Sequence, residues 1–153
     1  MKLLVTLALL VSLKVIAAGA EADGCFALYM PGLDGGALCV NGAAEEGIGG
    51  ASATVAIVST VGETYWCAKT TKITDKSKDK NISRVFSFDR KTRMLEVELN
   101  GKVNAEGKQE GDIKITDLKD KTNLKYLELS QKTTDRILPK ALDSKLCQAA
   151  RNS

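Results

Sequence analysis

The sequence predicts a mainly β fold: a single-domain antiparallel β-sandwich or barrel of about eight short strands, with a short C-terminal helix and two disulfides. Three observations carry that expectation. Polar and apolar residues alternate through most of the second half, turn-forming residues recur every ten positions or so, and all four cysteines follow an export-type N-terminus.

"MKLLVTLALLVSLKVIAAGA" opens with Lys2, continues with an apolar run from Leu3 to Leu13, and ends in small residues. That is the layout of a secretory signal peptide over residues 1–20, with Ala18 and Ala20 meeting the small-x-small cleavage rule. Lys14 interrupts the apolar run, leaving it too short for a ~30 Å hydrocarbon core, so no membrane span is expected. Residues 21–153 then form one β-rich domain, secreted and extracellular. Cys25, Cys39, Cys67 and Cys147 all lie in that part, and an even count in an exported chain predicts two disulfides. Cys25 to Cys147 and Cys39 to Cys67 is the expected pairing, the first clasping the chain ends and the second closing the Gly-rich stretch. No pair has C-x-x-C spacing and no His is present, so the expectation is no metal and no cofactor.

"CFALYM" reads as a strand, "PGLDGG" as a turn, "ALCVN" as a second strand and "GAAEEGIGGAS" as a loop. "ATVAIVST" is β-branched and nearly uncharged, which predicts a central strand buried on both faces, and "TYWCAKT" continues the sheet. "ISRVFSF" is a strand leading to a turn at "DRKT". "RMLEVEL" then sets Leu95, Val97 and Leu99 on one face and Glu96 and Glu98 on the other. Asn100-Gly101 is a hairpin dipeptide, which predicts a turn there and a returning strand "KVNA". "DIKIT" and "NLKYLELS" repeat the alternation. "LPKALDSKLCQAA" predicts one helix after Pro139 with Leu142, Leu146 and Cys147 facing the body.

Charge is divided unevenly along the chain. Residues 21–68 hold six acids and no bases, whereas residues 69–153 hold twenty bases and thirteen acids. The change begins abruptly with Lys69, Lys72, Lys76, Lys78 and Lys80, the candidate partner-binding residues, on an expected exposed loop over 69–80. A nucleic-acid binder would be basic overall and would offer aromatics beside the charge; Tyr126 is the only Tyr or Trp beyond this loop, which argues against nucleic acid. Asn81-Ile82-Ser83 is an N-glycosylation sequon. Asp75, Ser77, Asp79, Asn81 and Ser83 echo a calcium loop, but Lys80 and Phe86 stand where the required Gly and Glu should be.

The absence of His removes the commonest general base and the His-dependent nucleophile pairs. Catalysis would rest on Glu96 and Glu98, as in a carboxylate-based glycan hydrolase. A protease-inhibitor loop at "GAAEEGIGGASAT" is disfavoured, because such loops are normally rigid and these glycines make the stretch flexible. The lipocalin G-x-W signature is missing. A signal peptide followed by a small β domain with a Cys near each end resembles the secreted effector-like proteins of fungi and other host-associated organisms. That resemblance covers the overall layout only, and the expected function is that of a non-enzymatic binding protein. Its loops 42–52 and 69–80 would engage an extracellular protein or an anionic glycan or lipid surface. A carrier of a small apolar ligand is the remaining alternative, and it needs a closed barrel with an open interior.

Overall fold

The computed structural model describes residues 24–30, 33–42, 52–59 and 61–153. The expected signal peptide and the centre of the loop over 42–52 lie outside the described residues. Among the described residues nine strands form one sheet: β1 (Gly24–Met30), β2 (Leu33–Asn41), β3 (Thr54–Val58), β4 (Thr64–Lys69), β5 (Lys72–Asp75), β6 (Asn81–Ser87), β7 (Met94–Val103), β8 (Gln109–Asp117) and β9 (Lys121–Glu128). Two helices follow, α1 (Gln131–Leu142) and α2 (Lys145–Arg151). The strand order is β4-β3-β2-β1-β9-β8-β7-β6-β5, and every neighbouring pair is antiparallel. The mainly antiparallel β class is therefore the one the sequence predicts, in a single curled layer rather than two packed sheets.

The two ends of this order, β4 and β5, are consecutive in the chain. Alternating directions around the sheet give both the same sense, so residues 64–75 are one run of chain that changes partner partway. The change happens at Thr70 and Thr71. The Thr70 amide donates to the Ala53 carbonyl at 2.8 Å, while the Thr71 amide donates to the Ser87 carbonyl at 2.8 Å. The buried Thr70 hydroxyl also accepts from the Ala53 amide at 2.8 Å. Above that point β4 has no backbone ladder to β5. The gap is bridged by Trp66, whose Nε1 donates to the Thr92 carbonyl at 3.0 Å and whose ring meets Phe88 edge-on at 5.0 Å.

Strand periodicity places one side chain in two inside the curl. Phe26, Leu38, Val40, Val55, Ile82, Phe86, Val97, Leu99 and Ile113 pack there as one buried cluster. The opposite face is dry on one half of the sheet only. Over β1 to β4 the outward residues Ala37, Cys39, Ala56 and Val58 are buried under Ile137, Leu138 and Ala141 of α1 and Cys147 of α2. Short Ala side chains let the helices come close, and burial on both faces explains why "ATVAIV" shows no alternation. Over β6 to β9 the outer face is wet, which explains why those strands alternate.

Four local expectations are corrected. The disulfides are Cys25–Cys39 and Cys67–Cys147, not Cys25 to Cys147 and Cys39 to Cys67. Cys25 and Cys39 are direct cross-strand partners with Cα atoms 4.1 Å apart, and the outward Cys67 lies under α2. Asn100-Gly101 is not a turn, because β7 runs straight through it. The turn comes at Asn104–Lys108, where the Asn104 Oδ1 accepts from the Glu106 and Lys108 amides and Gly107 takes a φ of +80°. The C-terminal helix starts well before Pro139. Ser130 caps α1 by accepting from the Thr133 amide, Pro139 lies inside it, and a second cap at Ser144 starts α2. Leu146 is 46% exposed, whereas Cys147 faces the sheet as expected, beside Ile137, Leu138 and Ala141.

Candidate functional site

The predicted loop 69–80 is an edge strand followed by a tight turn. Lys69 ends β4 and Lys72 opens β5, whose Ile73 packs against the core. The β-branched pair Ile73-Thr74 was the missed sign of a strand. Lys76, Lys78 and Lys80 belong to the turn into β6. That turn is closed by reciprocal hydrogen bonds between Lys78 and Asn81, at 3.0 and 2.9 Å. Asp75 accepts from the Ser77 amide at 2.9 Å, the Ser77 hydroxyl accepts from the Ser83 amide at 2.9 Å, and the Lys80 carbonyl accepts from the Val103 amide at 2.7 Å. All five lysines are exposed. Among the described residues the two ion pairs are Arg84–Asp75 and Lys125–Asp112, so none of the five has a carboxylate partner.

Asn81 is exposed and opens β6 beside this turn, opposite Lys102 of β7. Its sequon therefore lies at a turn-to-strand junction rather than in a free loop. Glu96 and Glu98 stand on the outer face of β7, opposite Ser87 and Thr116 and opposite Val85 and Lys114 respectively. They share a face, as their spacing requires, and that face looks away from the interior. Among the described residues no group of three or more His, Cys, Asp or Glu is placed to hold a metal ion. Asp75, the first residue of the calcium-like run, is already committed to Ser77 and Arg84.

The residue that the sequence reading passed over is Arg84. It alternates with Ile82 and Phe86, so period two puts it inside, and it is 4% exposed. Its Nε donates to Asp75 at 3.0 Å and its Nη1 to Gln109 Oε1 at 2.8 Å, while the Gln109 amide donates to Glu128 at 2.9 Å. Burial raises the pKa of Asp75, but the Ser77 hydroxyl and amide and the Arg84 guanidinium outweigh it and hold the carboxyl below its usual value. A buried cation is thus neutralised and bonded, the condition under which it is tolerated.

Tyr126 lies beside this group on the inner face. Its ring meets Phe26 edge-on at 5.7 Å and spans the paired glycines Gly101 and Gly111, with the hydroxyl 2.9 Å from where a Gly101 Cβ would stand. That hydroxyl is buried and has no hydrogen-bond partner among the described residues. Burial pushes its pKa up to about 12, with Asp112 and Glu128 adding to the rise and Arg84 opposing it. A raised native pKa means that the neutral phenol stabilises the fold below its unfolded value near 10 and that this contribution is lost as pH climbs towards 12. Tyr126→Phe is expected to flatten that alkaline loss and, by deleting an unpartnered buried hydroxyl, to leave neutral-pH stability unchanged or about 1 kcal/mol higher. Urea titrations across the alkaline range measure both effects, and a clear drop at neutral pH would mean that the hydroxyl is bonded.

On the outer side of the same two glycines the sheet carries an open cleft of about 590 Å³. Tyr29, Asn81, Asn100, Lys102, Asp112 and Lys125 stand around it, from β1 and from β6 through β9. The lysine turn and the cleft share Asn81, so they form one continuous surface. The chain matches no family model, no curated protein and no solved structure.

Proposed function

We propose that the chain is a secreted, non-enzymatic binding protein that holds an acidic extracellular glycan against its β5 edge and the turn that follows. Two disulfides suit an oxidising compartment, and no helix among the described residues is long and apolar enough to cross a membrane. The observation that carries the reading is the set Lys69, Lys72, Lys76, Lys78 and Lys80: exposed, without carboxylate partners among the described residues, and held on hydrogen-bonded backbone. A solvated linker would scatter these charges, whereas a strand and a closed turn keep them in register for repeated anionic groups. Lysines are compact point charges that fit sulfate or carboxylate without demanding one geometry. Neither alternative has comparable support. Packed side chains occupy the inner face that an apolar ligand would need, and Glu96 and Glu98 lie on the outer surface.

The test is retention on immobilised heparin. Changing Lys72, Lys76, Lys78 and Lys80 together to Ser is expected to weaken binding about tenfold and to move elution to lower salt. Elution at the same salt as wild type would remove the lysine edge from the function.

A further inference from the structure

The cleft beside the lysine turn has a composition of its own. Its floor is the backbone of Gly101 and Gly111, which face each other across β7 and β8. At one wall Tyr29 is 51% exposed, and it has no aromatic neighbour among the described residues. At the other wall the exposed Asn81 and Asn100 side chains make no hydrogen bond to the described protein. Between the walls, Asp112 and Lys125 form an ion pair across β8 and β9. Lys102, opposite Asn81, brings positive charge to the rim.

An aromatic face beside unpartnered amides and a carboxylate is the chemistry that receives a pyranose. The apolar C–H face of the ring stacks on the phenol, while vicinal hydroxyls donate to carboxylate and amide oxygens and accept from amide N–H groups. We infer that this cleft is a saccharide subsite, with Tyr29 as the stacking platform, Asn81, Asn100 and Asp112 as hydroxyl partners, and the neighbouring lysines attracting the acidic groups of the same glycan. The assignment rests on the acidic-glycan reading above and adds where the sugar ring is read. Two sources can supply the ring: a separate glycan, or sugars attached to Asn81 itself, which is both a wall of the cleft and a sequon acceptor.

Protein made in a bacterial periplasm, without sugar on Asn81, is titrated calorimetrically with a chondroitin sulfate tetrasaccharide. Tyr29→Ala and Asn100→Ala are each expected to weaken binding about fivefold at both low and high salt. Lys78→Ser with Lys80→Ser is expected to weaken it at low salt only. If the two cleft variants, folded by circular dichroism, bind as wild type does while the lysine variant is weakened, the subsite is overturned and the lysine edge stands. If the tetrasaccharide does not bind wild type, both readings fall. Protein from a eukaryotic secretory host separates the sources. Binding that appears only after endoglycosidase treatment assigns the cleft to the Asn81 sugars, and equal binding before and after assigns it to a separate glycan.

Discussion

Replacing Cys67 and Cys147 together by Ser is expected to lower stability by about 4 kcal/mol, the larger of the two disulfide effects in this protein. The bridge joins positions 80 apart in sequence, so its removal frees a long loop in the unfolded chain, whereas Cys25 and Cys39 are only 14 apart. Losing the shorter bridge is expected to cost about 3 kcal/mol on the same account. The difference is reinforced in the native state. Cys147 is fully buried and fastens α2 to β4, and with it the edge of the helical cover over Ala37, Ala56 and Val58. Cys25 and Cys39, by contrast, link strands that a backbone ladder already holds side by side. Guanidinium unfolding of the two double-Ser variants ranks them. A larger loss from the Cys25–Cys39 pair would show that the helical cover does not depend on its covalent tie.

The second large effect is at Gly101. A Cβ there would fall 2.0 Å from the Glu110 carbonyl oxygen and 2.9 Å from the Tyr126 hydroxyl. The first neighbour is backbone and cannot turn aside, so Gly101→Ala must spread β7 from β8, and it crowds Tyr126 as well. The expected loss is about 3 kcal/mol. Gly107→Ala is the matched comparison. Gly107 has a φ of +80° but nothing within 4 Å of its Cβ position, so only backbone strain of about 1 kcal/mol is expected. Urea midpoints of the two variants measure the contrast, and comparable losses would contradict the close approach of β7 and β8.

Gly101 also shows where sequence reading reaches its limit. Asn-Gly is the strongest short-range hairpin signal, yet here the Gly is required by a contact with Glu110 and Tyr126, residues that local reading does not bring together. Most strands were legible, because a sheet with one wet face imposes alternation and a doubly covered one imposes apolar runs, whereas β5 was read as loop and "KVNA" as a strand of its own. Arg84 was legible too, by its phase with Ile82 and Phe86, although its charge invites the opposite assignment. The disulfide pairing was not, since it depends on which strands neighbour one another and on where α2 lands. At the candidate site the five lysines were visible as a run of charge, but Tyr29 lies dozens of residues before Asn100 and Asp112 and meets them only through the ladders of β1, β9, β8 and β7.

The pairing of β1 with β9 sets an order of events for the chain as it is made. Phe26 finds its partner at Glu128, so the sheet cannot close until almost all of the chain is present. Until then β1 offers an unpaired edge, and such edges invite association with other chains. The Cys25–Cys39 bridge needs only the first hairpin and can form early, holding β1 against β2 while it waits. Cys147 follows β9 in the chain, so the second bridge can form only once every strand has been made. One disulfide therefore needs only the first hairpin, whereas the other needs both the closed sheet and the helix beyond it.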